Sequence, residues 1–131
     1  LIVYDFSSYL LHLNLPDILY QIASKGERKI KQILEKNDVN YFYEYRFNDC
    51  RNELPLPFDF YLPDFKTCIE YDGIQHFEII EHFGGENSFI ERRLKDEIKN
   101  KYCKDKKINL IRISHNNYDN IEKIIKNELL Y

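Results

Sequence analysis

Hydrophobic positions along the chain change their period several times, and those changes mark the predicted elements. Residues 1–13 (LIVYDFSSYLLHL) are apolar without a clean repeat. They are expected to be a strand or helix packed on the domain, or the tail of a preceding module. Pro16 and Asp17 suit the first turn of a helix reaching about Ala23. Ser24 followed by Glu27 has the spacing of a capping box, which predicts a second helix with Ile30, Ile33 and Leu34 on one face, ending near Asn37. Residues 40–47 (NYFYEYRF) read as an aromatic strand and residues 48–55 (NDCRNELP) as a polar hairpin connection. Two short strands follow, at 58–62 and 67–72, punctuated by Pro57, Pro63, Asp64 and Gly73.

Alternation puts Phe58, Phe60 and Leu62 on one face of the first of these strands, with Asp59 and Tyr61 on the other. In the second, Glu70 and Asp72 share a face, and Ile69 and Tyr71 share the opposite one. Gly84 and Gly85 end one segment and permit a tight turn, which suits a plain connector or, as the alternative, a lid or substrate loop. Asn87 or Ser88 can cap a long helix over residues 89–104, with Ile90, Leu94, Ile98 and Tyr102 as its apolar stripe. At 100° per residue Asp96 falls away from that stripe and reads as a surface charge. Residues 108–114 (INLIRIS) read as a buried strand, and residues 118–130 as a closing amphipathic helix with Ile121, Ile124, Ile125 and Leu129 inward. The order αβββαβα predicts an α/β domain with a central mixed sheet of about four strands flanked by helices. Residues 1–23 are assigned to an N-terminal extension or the end of a preceding module, and residues 24–131 to the domain itself.

The chemistry concentrates on the two central strands. Asp59, Glu70 and Asp72 are predicted to converge at neighbouring strand ends, where three carboxylates would repel one another unless a divalent cation sat among them. Oxygen ligands of this kind suit Mg²⁺ or Mn²⁺. The alternative is the solvent face of an ordinary amphipathic hairpin. The density of acids, the break at Gly73 and His76 just beyond it favour the metal site. Glu27 likewise has two readings, as a capping-box residue or as a carboxylate on the core-facing stripe with Ile30 and Leu34.

Composition adjusts this picture in three places. The net charge of −3 hides a basic segment, residues 92–107, with eight cations against three acids, and a second basic cluster at Lys25, Arg28, Lys29, Lys31 and Lys36. Cations beside an acidic centre fit a phosphodiester substrate, although two solvated helix faces would look the same. The three cysteines, Cys50, Cys68 and Cys103, have no CxxC spacing, which argues against a disulfide framework and a zinc site and for a reducing compartment. No apolar run approaches membrane-spanning length, and the N-terminus lacks the features of a signal peptide. A chain beginning at Leu1 is expected to be excised from something longer.

Glu27 in SKGERKI, Asp59 in PLPFDFYLP, the run Glu70-Tyr71-Asp72-Gly73-Ile74-Gln75-His76, and Asp96 in RRLKDEIKNKYC before INLIRIS together resemble the PD-(D/E)XK nuclease superfamily. More narrowly, they resemble the branch of the very-short-patch repair endonuclease and the EDxHD homing endonucleases of phages. The resemblance covers residues 24–129 and implies a restriction-endonuclease-like core and a Mg²⁺-dependent DNA endonuclease, with Mn²⁺ able to substitute. It implies Asp59, Glu70 and the main-chain carbonyl of Tyr71 as metal ligands, with Glu27 and His76 flanking the scissile phosphate. Asp96 matches the last acid of the pattern, orienting His76 or another site residue, and Glu91, on the apolar stripe, is its rival. Asp72 and Gln75 are additional site candidates, and Lys29 a candidate phosphate contact. The superfamily's usual lysine is Asp72 here, so phosphate stabilisation has to come from the metal or from nearby bases.

His76, with an unperturbed pKa of about 6.5, would serve as base for the attacking water or acid for the leaving oxygen. The implied partner is DNA, with no membrane and with sequence specificity carried by another domain, because nothing here reads as a helix-turn-helix or zinc finger. The implied setting is the cytoplasm of a bacterial or phage-infected cell. Two other readings stand beside the nuclease: a catalytically degenerate nucleic-acid-binding module on the same fold, and a protein-interaction domain whose acids are only a solvent face.

Overall fold

The computed structural model describes residues 15–73 and 85–129, with side chains described from Lys25 onward. The order is α1 (Leu15–Lys36), β1 (Phe42–Arg51), β2 (Pro55–Leu62), a 3-10 turn (Pro63–Phe65), β3 (Thr67–Asp72), α2 (Gly85–Lys106), β4 (Asn109–Ser114), a 3-10 segment (His115–Asn120) and α3 (Ile121–Leu129). The four strands form one sheet in the order β1-β2-β3-β4. β1, β2 and β3 run as an antiparallel meander, and β4 lies parallel to β3 after the α2 crossover. The α/β class and the mixed four-stranded sheet flanked by helices are therefore as expected.

The two helices expected on either side of Ser24 are one. α1 runs unbroken from Leu15 to Lys36, so Ser24 lies inside it and not at a helix start. A capping side chain competes with helix propagation only where the helix has an end, and the residues before Ser24 propagate it. Gly26 within the helix costs about 1 kcal/mol relative to alanine. What offsets this is contact: a Cβ at Gly26 would fall inside the ring of Tyr71, so the missing side chain lets α1 press directly on β3. α1 ends where Asp38 adopts a left-handed φ of 54° and Val39 N–H returns to Leu34 O at 2.9 Å.

β1 is longer than expected. It continues to Arg51 through most of the anticipated loop, leaving Asn52–Leu54 as the hairpin turn. A register shift between Arg46 and Arg51 breaks the period of two and hides Cys50, which is buried.

The core lies in two layers. On one face of the sheet Ile30, Leu34, Phe60, Leu62, Ile69, Tyr71, Ile113, Ile121 and Ile125 pack α1 and α3 onto β2, β3 and β4. On the other, Cys50, Phe58, Cys68, Cys103 and Ile108 pack α2 against the strands. Phe58 thus belongs to the opposite layer from Phe60 and Leu62, against the simple alternation expected, and β2 changes face at Asp59. Ile69 and Tyr71 do share one face of β3, and Glu70 and Asp72 the other.

α2 departs furthest from expectation. It begins at Gly85, so Asn87 and Ser88 lie within it. Ile90 and Leu94, half of its expected apolar stripe, are 57% and 49% exposed. Its buried positions are Gly85, Asp96, Lys99 and Cys103. Asp96, expected at the surface, is inside because Arg112 of β4 meets it there. Among the described residues no helix is long and apolar enough to cross a membrane.

Candidate functional site

The strands β2 and β3 pair in register from Leu62↔Thr67 to Phe60↔Ile69, and there the ladder stops. Beyond that point side chains take over the bridging. Tyr71 N–H donates to Asp59 Oδ2 at 2.8 Å, and Asp59 N–H donates to Glu70 Oε1 at 3.3 Å. Each carboxylate thus satisfies the backbone of the opposite strand, and both acids are held in the gap where the strands part.

Burial is the main cause of the electrostatics here. It pushes the Asp59 carboxyl up from 3.8 to about 7, with the negative charge of Glu27 adding to the effect and the Tyr71 N–H opposing it. Glu70 rises from 4.5 to about 8, first through burial and then through the charge of Asp59, with Lys99 opposing. Two buried acids that each resist ionisation near neutrality, Asp59 partly because of Glu27 and Glu70 partly because of Asp59, form a site where further positive charge beyond that of Lys99 is favoured.

Glu27 reaches this pair from α1, one residue after the Gly26–Tyr71 contact that sets the helix against β3. With Ser24 inside the helix, the core-facing reading of Glu27 survives and the capping box does not. Tyr43 O–H donates to Glu27 Oε2 at 3.3 Å. Together with Arg28 and Lys31 these two residues line a shallow pocket of about 170 Å³.

Lys99 is the residue the sequence did not single out. It is 8% exposed, and its Nζ lies 3.1 Å from Glu70 Oε1 and 5.4 Å from the centre of the Phe58 ring. In the sequence it is one of eight cations in the basic segment 92–107. The one signal available was its i, i+4 spacing to Cys103, which marks a buried α2 face independent of the apolar stripe.

Asp72 and Asp96 belong to a neighbouring cluster. Arg112 donates from Nη1 to Asp72 Oδ1 at 3.0 Å and from Nε to Asn100 Oδ1 at 2.9 Å. Its Nη2 lies 3.6 Å from Asp96 Oδ1 and donates to the Asp96 carbonyl at 3.3 Å. Asp72 is therefore part of an ionic clamp between β3, β4 and α2, and the expected convergence of three acids becomes Asp59 and Glu70 joined by Glu27. Glu91, the rival to Asp96, is exposed and pairs with Lys95 at 3.2 Å. Lys29, a candidate phosphate contact, donates to the Tyr118 carbonyl at 2.8 Å and lies over its ring. His76 and Gln75 lie outside the described residues.

Among the described residues, no three His, Cys, Asp or Glu side chains are set at metal-binding spacing. Asp59 and Glu70 nonetheless fit a hard divalent cation by donor type and by their mutual repulsion.

A stretch of 61 residues, 46% of this chain, is 34% identical to Uncharacterized protein 307L of Invertebrate iridescent virus 6. The match spans 31% of that protein's length, well under two thirds. The chain matches no family profile and no solved structure.

Proposed function

We propose that this chain is the catalytic domain of a metal-dependent DNA endonuclease of the PD-(D/E)XK type, of a homing-type enzyme whose sequence specificity resides in another domain. The observation that carries the reading is the pair Asp59–Glu70, held in the gap between β2 and β3 with both carboxyl groups raised toward neutrality. An acid pair of this kind is poorly stabilised on its own and well suited to share a cation with a phosphate oxygen.

In this reading Asp59, Glu70 and the Tyr71 carbonyl would hold Mg²⁺ or Mn²⁺, which would supply charge neutralisation at the phosphate and make water a better nucleophile. The chain's own residues do the rest. Glu27 borders the acid pair from α1 and is placed to accept a proton from an attacking water. Arg28 and Lys31 flank it with positive charge facing a polyanionic substrate. Lys99, arriving from α2, supplies the cation that the motif position occupied by Asp72 does not. His76 is assigned the remaining proton transfer.

Supercoiled plasmid incubated with and without Mg²⁺ tests this reading. The wild type should nick or linearise it only with the metal, and Asp59→Ala should abolish cleavage. Full activity in purified Asp59→Ala protein would refute the assignment. One observation favours the degenerate binding module instead: Lys99 already neutralises Glu70 internally. In that case DNA binding would persist with no strand scission at any metal concentration.

A further inference from the structure

A cleft of about 550 Å³ lies between the β1–β2 hairpin and α2, within the size range of small-ligand sites. Its two walls differ in chemistry. The α2 wall carries Arg92, Lys95 and Lys99, which follow one another at i, i+3 and i+7 down a single helix face. The hairpin wall carries Leu54, Pro55 and Pro57, with Leu54 at the turn 70% exposed. Arg46 adds a fourth cation and is anchored by donating to the Pro55 carbonyl. Of the charged groups in the lining, Asp96 is neutralised by Arg112 and Lys99 by Glu70, neither partner being itself in the lining, which leaves Glu53 and Glu91 against Arg46, Arg92 and Lys95. Lys99, which lines the cleft, also pairs with Glu70, so the cleft and the acid pair have that side chain in common.

We infer that this cleft holds one unpaired DNA strand, phosphates on the α2 wall and sugar and base on the hairpin wall, leading the strand to Asp59 and Glu70. The inference rests on the proposed nuclease reading and adds the form of its substrate. A duplex turns its bases inward and offers a protein mainly phosphates, so the apolar wall would have nothing to meet. An unpaired nucleotide presents a charged edge and an apolar face together, which is the chemistry the two walls provide. The substrate is accordingly DNA that is single-stranded or locally opened beside the scissile phosphate.

The test is fluorescence anisotropy of the full chain in EDTA, where no cleavage occurs, with labelled oligothymidylate, a duplex of equal length and oligouridylate. The single DNA strand should bind roughly ten-fold tighter than the duplex. Arg92→Gln with Lys95→Gln should weaken single-strand binding roughly ten-fold and reduce the slope of log affinity against log salt by about 1.4, at about 0.7 per phosphate contact. Leu54→Ser should weaken the single strand several-fold and leave the duplex unchanged. Lys101→Gln with Lys126→Gln, an equal change of charge at positions outside the cleft, should leave the slope as in the wild type. Circular dichroism checks that each variant is folded. Duplex binding as tight as single-strand binding would overturn the inference, as would a cleft variant indistinguishable from the Lys101/Lys126 control. Tighter binding of oligouridylate would overturn the assignment to DNA. Loss of plasmid cleavage with these binding results intact would refute only the nuclease reading.

Discussion

Asp59→Asn should make the protein more stable above neutral pH while removing the proposed metal-dependent cleavage. The carboxyl is buried, its value is about 7 against 3.8 in an unfolded chain, and the difference corresponds to on the order of 4 kcal/mol. The sign follows from linkage. A carboxyl whose folded value is raised holds its proton more tightly in the native state, so its contribution is fully present below pH about 3.8. That contribution is lost as pH rises through about 7. Above that, the fold carries a buried anion beside Glu70. Asparagine keeps an oxygen to accept the Tyr71 N–H and removes the charge. Because Asp59 and Glu70 share part of their repulsion, the gain at pH 8.5 should be about 2–4 kcal/mol rather than the sum over both groups. At pH 4 the gain should be close to zero. Urea unfolding in EDTA at the two pH values measures this directly. An Asn variant no more stable than the wild type at pH 8.5 would refute the argument that these acids are held together against their own repulsion.

Three further outcomes follow from other contacts. Gly26→Ala should destabilise by about 1–3 kcal/mol through overpacking on Tyr71, and thermal melts should show part of that recovered when Tyr71→Leu is added. Arg112→Met should cost about 3–5 kcal/mol at pH 7 by leaving Asp72 and Asp96 buried without their cation; adding Asp72→Asn and Asp96→Asn should restore most of it in urea titrations. Lys99→Gln should raise the Glu70 carboxyl further above its value of about 8, seen as a higher carboxyl titration midpoint by NMR, and an unchanged midpoint would exclude the Lys99–Glu70 pair.

The elements that were legible in the sequence are those whose burial is apolar and regular. β3 is completely buried and bounded by a turn and a glycine, and its limits and both of its faces agree with the pattern. Ile121, Ile125 and Leu129 place α3 for the same reason. The failures have a common origin in charge pairing that only three dimensions reveal. Asp96 read as a surface charge by its angle from the apolar stripe and Lys99 as one cation of a basic segment, yet both lie inside because Arg112 and Glu70 meet them there. The helix wheel of α2 therefore chose an apolar stripe whose upper half, Ile90 and Leu94, is exposed. Alternation failed for Phe58 because β2 changes face where it leaves β3, and the acids bridge that same gap. Ser24 and Glu27 had the letters of a capping box inside an unbroken helix. Of the candidate site, the meeting of Asp59 and Glu70 follows from the strand pattern, and the addition of Glu27 from the resemblance. The separation of Asp72 and the arrival of Lys99 do not.

The central claim is that Asp59 and Glu70 form a binding site for a hard divalent cation, and calorimetric titration of Mn²⁺ into metal-free protein tests it most directly. The account predicts one saturable binding event that releases protons near neutral pH and is absent from Glu70→Gln and Asp59→Asn. No binding heat in the wild type, or the same heat in those variants, would contradict it.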